Sequence, residues 1–245
     1  TRLMASSEGK LVWASIQAHG GLGTWFDQGP LTFRFAYQPL NGKPPRDTIQ
    51  TIDTWSARGR HQYWDDRAHE FGWDGKQAWH MGDKGPINPR FWSLTPFYFV
   101  GVPFVFADAG IKLTKEEPMT FEGRTYDQVR VTYEAGTGDA PDDFYIVLID
   151  QETKRTGGVR YVVSYKGFFP NGGHTPEKFM KYDGDQTISG ITLPKTFRTF
   201  MWADGKPGKE VTKRTLSEVR FEPQLPSAHF DKPAKAMVFL GWMGK

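Results

Sequence analysis

Residues 91–106 read FWSLTPFYFVGVPFVF, the most apolar and aromatic run in the 245-residue chain. Nearly all of its polar capacity resides in Ser93 and Thr95. Most of the remaining sequence alternates apolar and polar residues, as a half-buried sheet does, and this run does not alternate. It requires burial by another part of the molecule. A membrane span needs about 20 consecutive apolar residues, so the run is short for spanning, and it carries Pro96 and Pro103. A core strand conflicts with the same two prolines, because proline cannot donate to a sheet ladder. Short helices or a looped plug fit best, with each proline near a helix start. Such a plug either completes the core or also lines a ligand cavity, and the residues leave both readings open.

The flanking sequence says what the plug packs against. Leu11, Val12 and Ile16, then Leu22, Trp25 and Phe26, recur at helical spacing within residues 7–28. Gly20-Gly21 breaks the pattern, predicting a helix, a break and a short second helix, with Ser6 or Ser7 as N-cap. From Leu31 the period becomes two: Leu31, Phe33, Phe35 and Tyr37 share a face. Strands are predicted at 48–56, 61–73 and 78–80, with Asp74-Gly75 as a hairpin turn. A short helix is predicted near 108–112. Beyond Pro118, strands are predicted at 129–133, 144–149, 159–165, 179–183, 187–193, 196–203 and 210–221, with Asp204-Gly205 as a second hairpin turn. The apolar run 236–242 is expected as an edge strand or a tail. These are about ten mostly hairpin-linked strands, with no βαβ alternation and no internal repeat. The predicted class is mainly β: one domain over 1–245 built on a single curved antiparallel sheet or a closed barrel, with helices against it.

Bulk properties exclude several classes. The chain has 31 basic and 28 acidic residues, a net charge of +3, and no Lys/Arg block, which does not suit nucleic acid. It has no cysteine, so disulfides, thiolate metal sites and cysteine nucleophiles are excluded. Aromatic residues make up 15%, with nine Trp, pointing to a large packed core or an aromatic-lined pocket.

The order of a leading helix, a long meander, a mid-chain helical plug and further strands resembles the LolA/LolB-like lipoprotein-localisation superfamily of bacterial envelopes. The hairpin Trp73-Asp74-Gly75-Lys76-Gln77-Ala78-Trp79 is similar to a hairpin common in that superfamily. Residues 18–22 followed by Trp25, and residues 138–143 leading into Tyr145 and Asp150, look like an uncharacterised branch related to it. The resemblance implies an incomplete β-barrel whose concave face is closed by helices over an apolar cavity. In the carriers that cavity holds acyl chains of lipoproteins. It also implies a non-enzymatic protein in the periplasm, attached to the outer membrane or extracellular, with an export signal removed ahead of Thr1. The two prolines and bulky aromatics of the plug bear on whether such a cavity is open or filled.

Candidate ligand-binding residues are Trp25, Phe97, Phe99, Phe104 and Phe106, facing a lipid or a lipoprotein acyl chain. No catalytic residue, metal ligand or cofactor is assigned. His69-Glu70 lacks the second histidine of HExxH, while His61, His69 and His80 fall on neighbouring predicted strands and suit either a zinc site between strands or scattered surface or satisfied groups. Asp139, Asp142 and Asp143 offer oxygen ligands for calcium, with a turn held by Asp side chains as the alternative. Gly20-Gly21-Leu22-Gly23 follows a helix, not a strand, and is no phosphate loop. Trp55, Trp64, Trp73 and Trp79 suit either carbohydrate stacking or core packing. The competing functions are an extracellular hydrolase using paired carboxylates, a carbohydrate-binding protein, and an interaction module with a filled core.

Overall fold

The computed structural model describes residues 2–82, 87–135, 137, 140 and 142–241. A 3₁₀ turn at Arg2–Ala5 leads into α1 (Ser7–Ala18). Ser6 caps α1, its Oγ accepting from the Gly9 N–H at 3.1 Å. Gly20 and Gly21 then take φ of 116° and 88°, which ends the helix before α2 (Leu22–Asp27). A Cβ on Gly20 would stand 2.2 Å from the Gly190 carbonyl oxygen, so glycine alone lets this corner close against the sheet.

Two meanders build the sheet. The first is β1 (Leu31–Pro39), β2 (Arg46–Ile52), β3 (Gly59–Tyr63), β4 (Glu70–Trp73) and β5 (Ala78–Met81). The second is β6 (Ile111–Phe121), β7 (Arg124–Tyr133), β8 (Tyr145–Asp150), β9 (Thr156–Tyr161), β10 (Lys178–Ile188), β11 (Ile191–Ala203) and β12 (Lys206–Phe221). β13 (Met237–Val238) follows. All pair antiparallel in one 13-stranded sheet, ordered β13-β5-β4-β3-β2-β1-β12-β11-β10-β9-β8-β7-β6. The meanders join where β1 pairs with β12, Leu31 opposite Phe221 and Tyr37 opposite Arg214. The sheet stays open, with β13 and β6 as its edges.

This topology decides where residues 91–106 lie. β5 stands beside one edge of the sheet and β6 forms the other, so the segment joining them must cross a whole face. It does so as α3 (Pro89–Trp92), α4 (Thr95–Val100) and a 3₁₀ turn at Phe104–Ala107. Pro89 and Pro96 sit in the first turns of their helices, and Pro103 precedes the 3₁₀ turn. These are positions where the missing N–H is not needed. The main core forms on this covered face, from α1, α2, the plug and the inward residues of the strands. A smaller cluster of Tyr126, Ile146, Leu148 and Phe179 lies apart from it. β8 serves both, since Val147 and Ile149 face the main core while Ile146 and Leu148 face the smaller one. That explains its unbroken apolar sequence.

Several element boundaries differ from the sequence reading. Residues 61–73 form two strands, because 64–69 turn back between β3 and β4. Residues 187–193 are not one strand but the end of β10 and the start of β11 around a turn at Ser189-Gly190, both at positive φ, 50° and 82°, as a type I′ hairpin requires. The helix expected at 108–112 is a turn at 108–110 followed by the first two residues of β6. Pro118 does not precede the renewed sheet but lies inside β6, at the register shift between Glu116 and Met119. An edge strand with a bulge tolerates it. Val163 and Tyr165 lie past the end of β9. The tail provides the edge strand β13, paired with β5.

Candidate functional site

The interior half of the plug is packed solid. Trp25 stacks on Phe104 at 4.4 Å with the rings 5° apart, and lies 6.1 Å from Phe97. Phe106 meets Tyr145 at 6.0 Å. Trp25, Phe104 and Phe106 are each 1% exposed. Two polar bonds fix the plug to the sheet beneath. Tyr182 Oη donates to the Phe99 carbonyl oxygen at 2.6 Å, and His61 Nε2 donates to that of Ser93 at 2.7 Å. Gly59 makes the second approach feasible, since a Cβ there would lie 2.9 Å from the Ser93 oxygen.

The other half, around α3 and the start of α4, is open. A cleft of about 1130 Å³ is lined by Ile87, Asn88 and Trp92 together with Tyr37, Arg46 and Tyr63. Phe168, Met201, Val211 and Phe239 also border it. A cavity of about 150 Å³ continues from it under α4, sharing Tyr37, Trp92, Lys178, Val211 and Thr212, and reaching Phe35, Phe99 and Arg214. A third space, also about 150 Å³, lies across Phe91, Thr95 and Phe99, lined by Tyr98, Tyr133, Tyr145 and Tyr165. Phe91 packs tilted against Phe168 at 4.8 Å and Tyr165 at 5.4 Å. Burial pushes the Tyr145 and Tyr161 phenols up, so both side chains meet these spaces as neutral groups.

A half-open sheet with its concave face crossed by a helical plug has counterparts among solved structures. A LolA superfamily protein from Nitrosomonas europaea superimposes with a TM-score of 0.60 at 11% identity, covering 93% of this chain and 99% of that one. The chain has a LolA-like fold. A DUF1329 family protein from Desulfovibrio piger gives a TM-score of 0.58 at 10% identity, covering 93% and 98%. A putative outer membrane lipoprotein-sorting protein domain from Vibrio parahaemolyticus gives 0.55 at 11% identity, covering 92% and 97%. No family model and no curated protein matches the sequence.

On this LolA-like sheet the five expected ligand-facing residues separate. Phe99 borders both smaller cavities. Trp25, Phe97, Phe104 and Phe106 border none of the three spaces and belong to the packed core. The residues that do border the large cleft were not singled out in the sequence as ligand-facing. Tyr37 and Arg46 come from β1 and β2, Lys178 and Met201 from β10 and β11, and Phe239 from the tail. They are distant in sequence and meet only through strand pairing and the path of the chain.

The remaining candidates disperse over the molecule. His61 is fully buried under the plug, and burial pulls its imidazole down to about 3. His69 pairs with Asp66 at 2.6 Å. His80 borders the large cleft beside Phe239. No three His, Asp or Glu side chains converge as a metal site among the described residues. Of the acidic loop, Asp139 lies outside the described residues. Asp142 is exposed, and Asp143 accepts from the Ser164 N–H at 2.5 Å. Asp143 is the one carboxylate bordering these three spaces among the described residues. The carboxylate pair of a glycosidase is therefore not assembled in them. The four tryptophans share no platform: Trp79 is fully buried and Trp73 lies under Arg90. Trp64 lies under Arg34, and the exposed Trp55 stacks on Phe26. No described helix is long and apolar enough to cross a membrane.

Proposed function

We propose that the protein is a non-enzymatic binder or carrier of an apolar, lipid-like ligand in the bacterial envelope, periplasmic or held at the outer membrane. The observation that carries this is the cleft of about 1130 Å³ under the plug, bordered by Tyr37, Trp92, Phe168, Met201 and Phe239. Ligand sites are typically concave, mostly apolar spaces of roughly 300–1,000 Å³ with a few polar groups, and the cleft is of that order. The LolA-like fold supports the reading. So does the name of one structural neighbour, which describes a lipoprotein-sorting domain. The acyl chain lies along α3 and α4, against Phe99, Trp92 and Tyr37. Trp25, Phe97, Phe104 and Phe106 belong to the packed core beyond it.

The test is native mass spectrometry of protein purified from an envelope fraction, followed by titration with saturated fatty acids of increasing length. Affinity should rise by up to about fourfold per added methylene until the cleft is full, following roughly 0.8 kcal/mol per buried CH₂. Absence of retained lipid, together with affinity independent of chain length, would remove the reading.

A further inference from the structure

The cleft is apolar in its walls but not in its charge. Arg46, Lys43 and Lys178 border the large cleft; Lys178 and Arg214 border the cavity that continues from it. No Asp or Glu borders either space among the described residues. The sheet register brings the two arginines together: Tyr37 pairs with Arg46 on one side and with Arg214 on the other. Directly opposed residues point to the same face. The two guanidinium carbons lie 5.2 Å and 5.0 Å from the one Tyr37 ring. Lys178 shares this face, because it is four residues from Tyr182, which pairs with Phe197, itself opposite Arg214.

None of the three has a carboxylate partner among the described residues. Arg46 rests on the rings of Trp92 at 3.6 Å and Tyr37. Arg214 is 8% exposed, donates to Thr199 Oγ1 at 2.6 Å, and lies 6.0 Å from the Phe99 ring. Lys178 Nζ lies 6.0 Å from the Tyr161 ring. Elsewhere buried or half-buried cations are neutralised, as in Arg60–Glu70 and Arg58–Asp53. Sequestering like charges without a counter-ion is costly. Burial pulls Arg46 down to about 10, and it pulls Lys178 down as well, with the charge of Arg214 adding to both. Two further groups bordering the cleft lack partners: Asn88 Nδ2 and Thr212 Oγ1 are buried without a hydrogen bond. Asn88 and Thr212 are each 9% exposed. Every unsatisfied group here is one that can donate.

We propose that Arg46, Lys178 and Arg214, with Asn88 and Thr212, bind an anionic group, phosphate or carboxylate, at the head of the apolar cleft. The guest is an acidic amphiphile, its charged head held by these donors and its tail along the plug; this rests on the lipid-binding reading above. Charge-assisted hydrogen bonds to an oxyanion are strong in such water-poor sites, and arginine presents the fork that matches phosphate or carboxylate.

The experiment compares dioleoyl lipids that differ only in the head: phosphatidylglycerol, phosphatidylcholine and diacylglycerol, with inorganic phosphate as a separate arm. Binding is read by native mass spectrometry and calorimetry on wild type, Arg46→Met/Lys178→Met, the charge-keeping Arg46→Lys/Lys178→Arg, and Lys209→Gln/Arg220→Gln as an equal loss of two charges outside these cavities. Wild type should hold phosphatidylglycerol over diacylglycerol by at least about tenfold, the effect of a charged hydrogen bond or two. The Met pair should erase that preference while keeping diacylglycerol bound, and the other two variants should retain it. Raising salt should narrow it. Equal retention of all three lipids by wild type would overturn the anion site and leave the lipid reading standing. So would an undiminished preference in a folded Met pair. Phosphate bound by wild type and lost in the Met pair, with no lipid retained, would support the anion site and remove the lipid reading. Absence of both would overturn both.

Discussion

Single side chains here do work that their sequence context conceals. His19 and His61 are both buried fasteners. His19 Nδ1 donates to the Thr192 carbonyl oxygen at 2.7 Å, while its Nε2 accepts from the Thr156 N–H at 3.0 Å. That pattern requires the neutral ring, and burial pulls the group down accordingly. His61 is pulled down to about 3 by the same cause, with Arg46 adding to it. For both, the unfolded chain takes up a proton first as pH falls. Their contribution is therefore complete above about pH 6.5 and is lost as pH falls below it, the loss for His61 approaching about 1.4 kcal/mol per pH unit. Asp108 and Asp143, pushed up by burial, act with the opposite sign. A difference measurement isolates one group: between pH 6.5 and 5, His61→Gln should lose stability in urea less steeply than wild type. Parallel curves would mean that His61 is not held neutral. Trp25, read in the sequence as facing a ligand, is instead stacked between Phe104 and Phe97. Trp25→Ala should cost about 3–5 kcal/mol of stability, as for a large buried aromatic. A loss below 1 kcal/mol with strongly weakened lipid binding would return Trp25 to a ligand-lining role.

The plug is the element on which the architecture turns. Its helical character was legible because Pro96 and Pro103 exclude a ladder strand and sit where helix starts tolerate proline. Its division into a packed half and an open half was not, since Phe91 and Phe97 are the same residue type. Phe97 meets Trp25 in the core, whereas Phe91 reaches the mouth beside Phe168. The plug rests on β3 through the Ser93 carbonyl above Gly59. Gly59→Ala places a Cβ where only 2.9 Å separates it from that oxygen and 2.8 Å from Ile52. It should cost about 1–3 kcal/mol by overpacking and raise hydrogen exchange in 89–100 ahead of the rest of the chain. Uniform exchange in the variant would show that the plug does not depend on this contact. Strand boundaries were legible where a turn has its own chemistry, as at Asp74-Gly75 and Asp204-Gly205. They were missed at 187–193, where Ser189-Gly190 gave a weaker signal than the alternating residues around it.

At the scale of the molecule, a sheet of thirteen strands remains open, and the crossing from β5 to β6 covers its concave face. A guest held there stabilises the folded chain by mass action. Saturation at about 100 times Kd should add about 2.7 kcal/mol, or roughly 5–10 °C in Tm for a chain of this size. Calorimetry of stripped and lipid-loaded protein checks it, and an unchanged Tm at that saturation would speak against specific binding to the folded state. The sequence by itself determined the mainly antiparallel class, the broken leading helix and the burial of residues 91–106. Each follows from local periodicity, glycine and proline chemistry, and the absence of βαβ alternation. Which aromatics fill space and which border it was decided only by the tertiary structure. So was the meeting of Arg46, Lys178 and Arg214 around one cleft. The reason is physical: those contacts join strands far apart in the chain through the β1–β12 pairing, and no local pattern encodes a neighbour across a sheet.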